Sequence, residues 1–469
     1  MIRDDKLHEE CGVVAIWSSH HQPIGEKLYD GLISLQHRGQ ESAGMAVHQF
    51  GQLVQYKNVG LVSEVFDEDR IQSLSGAQGI GHVRYSTTGV ADRRNAQPLV
   101  TLFKGGQMAL AHNGNLVNAR ALREELIDEG YTFETSIDTE VILRLIAKNY
   151  HGDMLETLRQ VCKTIRGAFA LVLLVNDRVY GVRDPYGLRP LVLGRTASDE
   201  WMIASETTTL DLLGAELVRD IAKGEIVEIH QGEVTSLHYD NTKRQAFCAF
   251  EYVYFARPDS IVEGQSVLSV RKKLGALLAE QEERKYDLVA PVPDSGISAA
   301  IGYAQAAGIP YSPVLMKNRY IGRTFINPTQ EQRERALRLK LNVQKDEVQG
   351  KSIVLVDDSI VRGTTLRNLI HQLKAAGAKA VHVRISSPPV IHSCHFGIDT
   401  PSKKSLIGAN LSVDEICRHI GADSLKFIAL EDMVRAIGME DRLCIACFDG
   451  HYPMDVSSMG DKFVFEKES

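Results

Sequence analysis

The rhythm of apolar runs changes partway along this 469-residue chain, and that change limits the fold more than any single motif. Up to about residue 238, short apolar runs are joined by tight turns. AGMAVHQF turns at Gly51-Gln52 into LVQYKNVG, AFALVLLV turns at Asn176-Asp177 into RVYGVRD, and EIVEIH turns at Gln231-Gly232 into EVTSLHY. Gly, Asn or Asp between such runs predicts antiparallel hairpins. Amphipathic stretches at 27–36, 119–129 and 139–149 predict helices in separate layers, an α+β arrangement. From about residue 268 the pattern becomes strand–helix–strand. DLVAPVP is followed by a helix over 297–307 stopped by Gly308, then by YSPVLMK, SIVLVDD, a helix over 365–376 closed by Gly377, and AVHVRIS. Strands alternating with helices need crossovers, so this half is α/β with a parallel sheet. The boundary falls within 241–267, giving domains over 11–240 and 241–469.

Composition sets outer limits. A hydrophobic share of 44% and a charged share of 24% suit more than one globular core. A net charge of −7 with no basic stripe argues against nucleic acid as the main partner. No apolar run reaches the roughly 20 residues of a membrane span. The leader MIRDDKLHEE over 1–10 lacks the apolar core of a secretory signal, so a cytoplasmic location is expected. Of seven cysteines, disulfides are disfavoured there, leaving metal binding, catalysis or packing.

Cys11 opens the apolar strand GVVAIW directly after that leader. If the leader is cleaved, Cys11 gains a free α-amine of pKa roughly 7.7–8.0, able to act as base beside its own sulfur. Position alone would make it a buried structural cysteine. The segments that follow, in order, are QHRGQESAG at 36–44, GHVRYST at 81–87, HNGNL at 112–116 and SIDTE at 136–140. With Cys-Gly-Val-Val before them, they resemble the glutaminase domain of the N-terminal-nucleophile amidotransferases over residues 11–238. The resemblance implies that Cys11 attacks the side-chain amide carbon of glutamine. Asn113 and the Gly114 N–H would form the oxyanion hole, Arg84 would pair with the α-carboxylate, Asp138 would bind the α-ammonium, and Arg38 would position or gate nearby. Outside this context, Asn113-Gly114 reads as a type I′ hairpin turn.

In the second half, IVLVDDSIVRGTT at 353–365 brings Asp357 and Asp358 to the end of an apolar strand. A loop with Ser359, Gly363, Thr364 and Thr365 follows, and a helix begins at once. A helix N-terminus suits a 5′-phosphate, and the acidic pair suits ribose hydroxyls and Mg²⁺. No Walker A sequence occurs. The run resembles the type I phosphoribosyltransferase signature. PVPDSG, with Asp294, Ser295 and Gly296, resembles that family's pyrophosphate and metal loop. The resemblance implies Mg²⁺ held at Ser295, Asp357 and Asp358, pyrophosphate contacts from Lys340 and Arg362, and a lid over 320–342.

Cys444 and Cys447 form a CxxC, and Cys248 and Cys394 lie far from it in sequence. Four thiolates could hold a [4Fe–4S] cluster or zinc, and spacing does not choose. Cys162 and Cys417 read as packing residues of helices. Joined in this order, the halves resemble one glutamine-dependent family over nearly the whole chain, in a branch with a cleaved leader and a [4Fe–4S] cluster. That implies cluster ligands Cys248, Cys394, Cys444 and Cys447. It also implies transfer of glutamine-derived ammonia to 5-phosphoribosyl 1-pyrophosphate (PRPP), giving 5-phosphoribosylamine for purine synthesis. A homotetramer inhibited by purine nucleotides is expected. Two alternatives are a hexosamine-phosphate synthase, opposed by the 357–365 loop, and a DNA-binding PRPP sensor, opposed by the complete glutaminase half.

Overall fold

The computed structural model describes residues 11–19, 22–85, 92–282, 284–318, 341–400 and 402–457. The first half is built on two antiparallel sheets. The seven-stranded sheet runs Ala215–Asp220, Val192–Thr196, Trp201–Ala204, Gly12–Trp17, Gln78–Arg84, Ser42–Gln49, Gln52–Val59. The six-stranded sheet runs Glu233–His238, Glu225–His230, Arg178–Arg183, Gly167–Val175, Gly106–Leu116, Leu99–Phe103. Strand alternation explains how they stack. Val13, Ala15 and Trp17 face inward and pack with Ala109, Ala111, Ala170 and Val172 between the sheets. Val14 and Ile16 face outward against Leu28 and Leu32 of helix Gly25–Ser34. Helices Ala119–Asp128, Asp138–Asn149 and Met154–Thr164 cover the other sheet through Leu122, Ile142 and Leu158.

The hairpins form where the turn residues permit positive φ. Gln231 and Gly232 have φ of 51° and 79°, and Asn176 has 53°. The first hairpin turns at Phe50 and Gly51 (φ 52° and 77°), one residue before the expected Gly51-Gln52.

The second half carries a four-stranded parallel sheet, Leu288–Pro291, Ser352–Asp357, Ala380–Ile385 and Ser424–Phe427. Helices Val267–Glu280 and Ile297–Ala307 pack on one face and Thr364–Ala375 on the other, so Val354 and Ile353 enter different cores. YSPVLMK does not form the expected member of this sheet. Tyr311 makes only an isolated bridge to Val289, and Leu315–Lys317 instead pairs antiparallel with Leu341–Val343. Pro310 and Pro313 remove two backbone donors there, so a continuous ladder cannot form. Between the halves, Phe247–Cys248 pairs in parallel with Leu443–Cys444, and a π-helical turn spans Glu251–Phe255. The C-terminal segment therefore returns to the junction, where Phe250 stacks on Phe448 at 5.5 Å between ring centres.

Candidate active sites

Strand Gly12–Trp17 lies inside its sheet, paired with Gln78–Arg84 on one side and Trp201–Ala204 on the other. Gly12 is opposite Val83, which brings Cys11 to the level of Arg84 and Tyr85. The Cys11 thiol is buried and donates to the Tyr85 carbonyl at 3.7 Å. Burial pushes it up to about 11, the Arg84 charge pulls it down, and Asp138 and Glu41 add to the rise. In the chain as translated, the nitrogen of Cys11 is in peptide linkage to Glu10, so it cannot act as a base.

Asp138 starts helix Asp138–Asn149 and is buried. Its carboxylate accepts from the Leu116 N–H at 2.9 Å and faces His112 Nδ1 at 3.6 Å. Burial pushes Asp138 up, but His112, the Leu116 bond and Arg84 outweigh it and hold the group below the usual range. An anion is thus kept charged beside the cysteine.

Asn113 and Gly114 do not form a turn. They lie within strand Gly106–Leu116, opposite Ala170 and Phe169. Gly114 has φ of 145°, and a Cβ there would sit 2.0 Å from the Ala168 carbonyl oxygen, so only glycine fits. Asn113 is fully buried, and among the described residues neither its amide nitrogen nor its amide oxygen has a hydrogen-bond partner. Buried amides are normally paired, so an unpaired one needs an explanation. His82, buried nearby, has its Nε2 at 3.1 Å from the His112 carbonyl, and burial lowers it to about 3, which keeps it neutral.

Arg38, expected near the glutamine site in a positioning or gating role, donates to Glu206 and, at the junction, to Glu251. Neither carboxylate is visible as a partner from sequence, because they lie 168 and 213 residues away.

In the second half, Asp357 ends strand Ser352–Asp357. Asp357, Asp358 and Ser359 are buried together at the carboxyl end of the parallel sheet, where open α/β folds bind ligands. The Asp358 N–H donates to Asp357 Oδ1 at 2.9 Å, and Ser359 Oγ donates to Asp358 Oδ1 at 2.5 Å. Gly363, at φ of 82°, turns the loop into helix Thr364–Ala375, with Arg362 and Thr365 flanking it. The second loop approaches closely. Val292 N–H donates to the Val356 carbonyl at 2.8 Å, and a Cβ on Gly296 would meet that oxygen at 2.4 Å. Asp294, exposed beside Ser295, pairs with Lys317 at 2.6 Å. Lys340, the 320–340 part of the lid and the leader lie outside the described residues.

The four remaining candidate cysteines gather at the junction. Cys248 is opposite Cys444 in the short parallel pair, and the Cys447 carbonyl accepts from Ile391 and His392 at 3.0 and 3.1 Å, just before Cys394. Burial pushes Cys248 and Cys444 up to about 12, and each feels the charge of its neighbouring thiols. Cys447 is raised well above the usual range, by burial and then by Cys248, Cys444 and Cys394. The donors fit a four-thiolate group in number and kind. Among the described residues, however, no three His, Cys, Asp or Glu side chains are close enough as they stand to hold a metal. Cys162 and Cys417 lie in helices Met154–Thr164 and Val413–Ile420, as expected of packing residues. No helix among the described residues is long and apolar enough to cross a membrane.

Residues 82–212 match the glutamine amidotransferase domain family, and residues 259–396 match the phosphoribosyl transferase domain family. The chain is 45% identical to the amidophosphoribosyltransferase of Methanothermobacter thermautotrophicus, over 98% of this chain and 97% of that one. It is 44% identical to that of Bacillus subtilis, over 96% and 95%. A solved structure of B. subtilis glutamine PRPP amidotransferase complexed with ADP and GMP superposes with a TM-score of 0.90 at 43% identity, covering 95% of this chain and 98% of that one.

Proposed function

This chain belongs to the amidophosphoribosyltransferase family, the glutamine-dependent PRPP amidotransferases of purine biosynthesis, and from that premise we propose how its own residues divide the reaction. Residues 11–240 release ammonia from glutamine, and residues 241–469 use it. Removal of residues 1–10 frees the amine of Cys11, whose ordinary pKa of roughly 7.7–8.0 suits a base at neutral pH. The amine takes the thiol proton and the sulfur attacks the side-chain amide carbon of glutamine. The Asn113 amide N–H and the Gly114 N–H receive the oxyanion. The carbon–nitrogen bond breaks, ammonia leaves with the transferred proton, and water then cleaves the thioester to glutamate. Arg84 holds the glutamine α-carboxylate and Asp138 its α-ammonium.

The acceptor half binds PRPP. Asp357 and Asp358 orient the ribose hydroxyls, the N–H groups after Gly363 take the 5′-phosphate, and Asp294–Gly296 with Arg362 and Lys340 contact the pyrophosphate. Mg²⁺, held through Asp357, Asp358 and Ser295 together with the substrate, would neutralise leaving-group charge. Ammonia attacks C1, the bond to pyrophosphate breaks, and 5-phosphoribosylamine forms after loss of a proton. Cys248, Cys394, Cys444 and Cys447 would hold a structural [4Fe–4S] cluster that ties the junction to the C-terminal segment. By analogy with the ADP- and GMP-bound relative, purine nucleotides regulate the enzyme, and the family resemblance implies a homotetramer.

The unpaired, buried amide of Asn113 carries this reading. Its natural partner is a charge that exists only during reaction. The test is Cys11→Ala: glutamine-dependent synthesis should vanish while synthesis from added ammonia persists. Loss of both activities would refute the two-site division.

A further inference from the structure

Glu251 is fully buried at the start of the junction's π-helical turn and takes no part in the chemistry above. Its carboxylate faces two arginines of the first half. Arg38 donates through Nη2 to Oε2 at 2.5 Å and through Nη1 to Oε1 at 3.3 Å, and Arg189 Nη1 lies 3.8 Å from Oε1. Each arginine leads to a different part of the glutaminase site.

On one side, Arg38 is followed by Gly39, which lies so close to the glutamine-binding strand that a Cβ there would be 2.5 Å from the Arg84 nitrogen. The Glu41 N–H then donates to the Arg84 carbonyl at 3.0 Å. On the other side, Arg189 grips the Phe396 carbonyl with Nε at 3.0 Å and Nη2 at 2.5 Å. Gly397 follows, and a Cβ there would be 3.2 Å from the Gly114 Cα. Asn115, next in the same strand, donates from its side chain to the His395 carbonyl at 3.1 Å.

We propose that Glu251 is a positioning residue for the glutaminase, setting the Arg84 backbone through Arg38 and the Gly114 oxyanion donor through Arg189 and residues 395–397. It deepens the assignment of Cys11, Arg84, Asn113 and Gly114 and rests on it. The carboxylate comes from the junction, so the half that consumes ammonia contributes to aligning the site that makes it. Misplacement of a reacting group by about 1 Å costs on the order of 10²-fold in rate, so a small shift on either arm is measurable.

The two arms predict different kinetics. In the leader-processed, full-length enzyme, Arg38→Lys, unable to fork between Glu206 and Glu251, should raise the glutamine KM about tenfold with kcat little changed. Arg189→Lys, unable to grip Phe396 with two N–H groups, should lower glutaminase kcat about tenfold with KM little changed. Glu251→Gln should do both, while ammonia-driven synthesis stays within roughly twofold. The idea fails if Glu251→Gln leaves glutaminase intact, or lowers both activities in proportion. It fails also if the two lysine variants shift KM and kcat in the same way, and that comparison decides the matter should Glu251→Gln not fold. Cys11→Ala measured alongside separates the two readings. Retained glutaminase there would overturn the catalytic assignment, whereas normal kinetics in Glu251→Gln would overturn only the positioning role.

Discussion

Replacing Asn113 by leucine, its closest apolar match in shape, should move activity and stability in opposite directions. The amide is fully buried and neither polar atom is hydrogen-bonded among the described residues, so the folded enzyme carries its desolvation uncompensated. A buried unsatisfied polar group costs about 1–3 kcal/mol, and an apolar group of the same shape removes that cost. Taking about 1–2 kcal/mol net, and roughly 2–4 °C per kcal/mol for a unit of this size, the apparent Tm should rise by roughly 2–8 °C. The proposed oxyanion donor disappears at the same time, which should lower glutaminase kcat by about 10²–10³-fold, or roughly 2.7–4 kcal/mol of barrier. Differential scanning calorimetry and glutamate release from glutamine read the two quantities, and ammonia-driven synthesis serves as the control. A lower Tm with unchanged glutaminase would show that the amide is a structural group and that the oxyanion assignment is wrong.

Two further outcomes are expected. In the uncleaved chain, the Cys11 thiol stands at about 11 against an ordinary 9.0. Its contribution to stability is therefore complete below about pH 9 and lost as pH rises through 11, and at pH 8 its alkylation should be about 100-fold slower than that of an unperturbed thiol. Peptide mapping after iodoacetamide checks this, and equal rates before and after leader removal would contradict it. Protein purified anaerobically should contain about four iron atoms per chain, and Cys394→Ser should lose them. Zinc without iron would eliminate the cluster.

Much of the architecture was legible because local chemistry decides it. Asn176, Gln231 and Gly232 adopt the positive φ their turns need, so the hairpins were readable. Gly308 and Gly377 stop their helices as expected. YSPVLMK misled because its apolar run reads as a strand, whereas Pro313 within it and Pro310 before it each lack the N–H a ladder needs. Asn113-Gly114 imitates a turn because φ of 145° at a strand position is as glycine-dependent as any hairpin, and sequence cannot tell the two apart. The partners of Arg38 and Arg189 were invisible for a different reason. Glu251 and Phe396 reach them only through tertiary structure, across 213 and 207 residues.

The loop that carries Phe396 and Gly397 against Gly114 has a consequence for synthesis on the ribosome. Translation completes the first half, through residue 240, well before the loop at 396 emerges, and N-terminal domains fold as they appear. A nascent chain can thus form both antiparallel sheets while Arg189 and Asn115 still lack their carbonyl partners at 396 and 395. By the time those carbonyls exist, Asp357 and the loop after it have already been made. In translation order, the carbonyl partners of Asn115 and Arg189 therefore arrive only after the loop at Asp357.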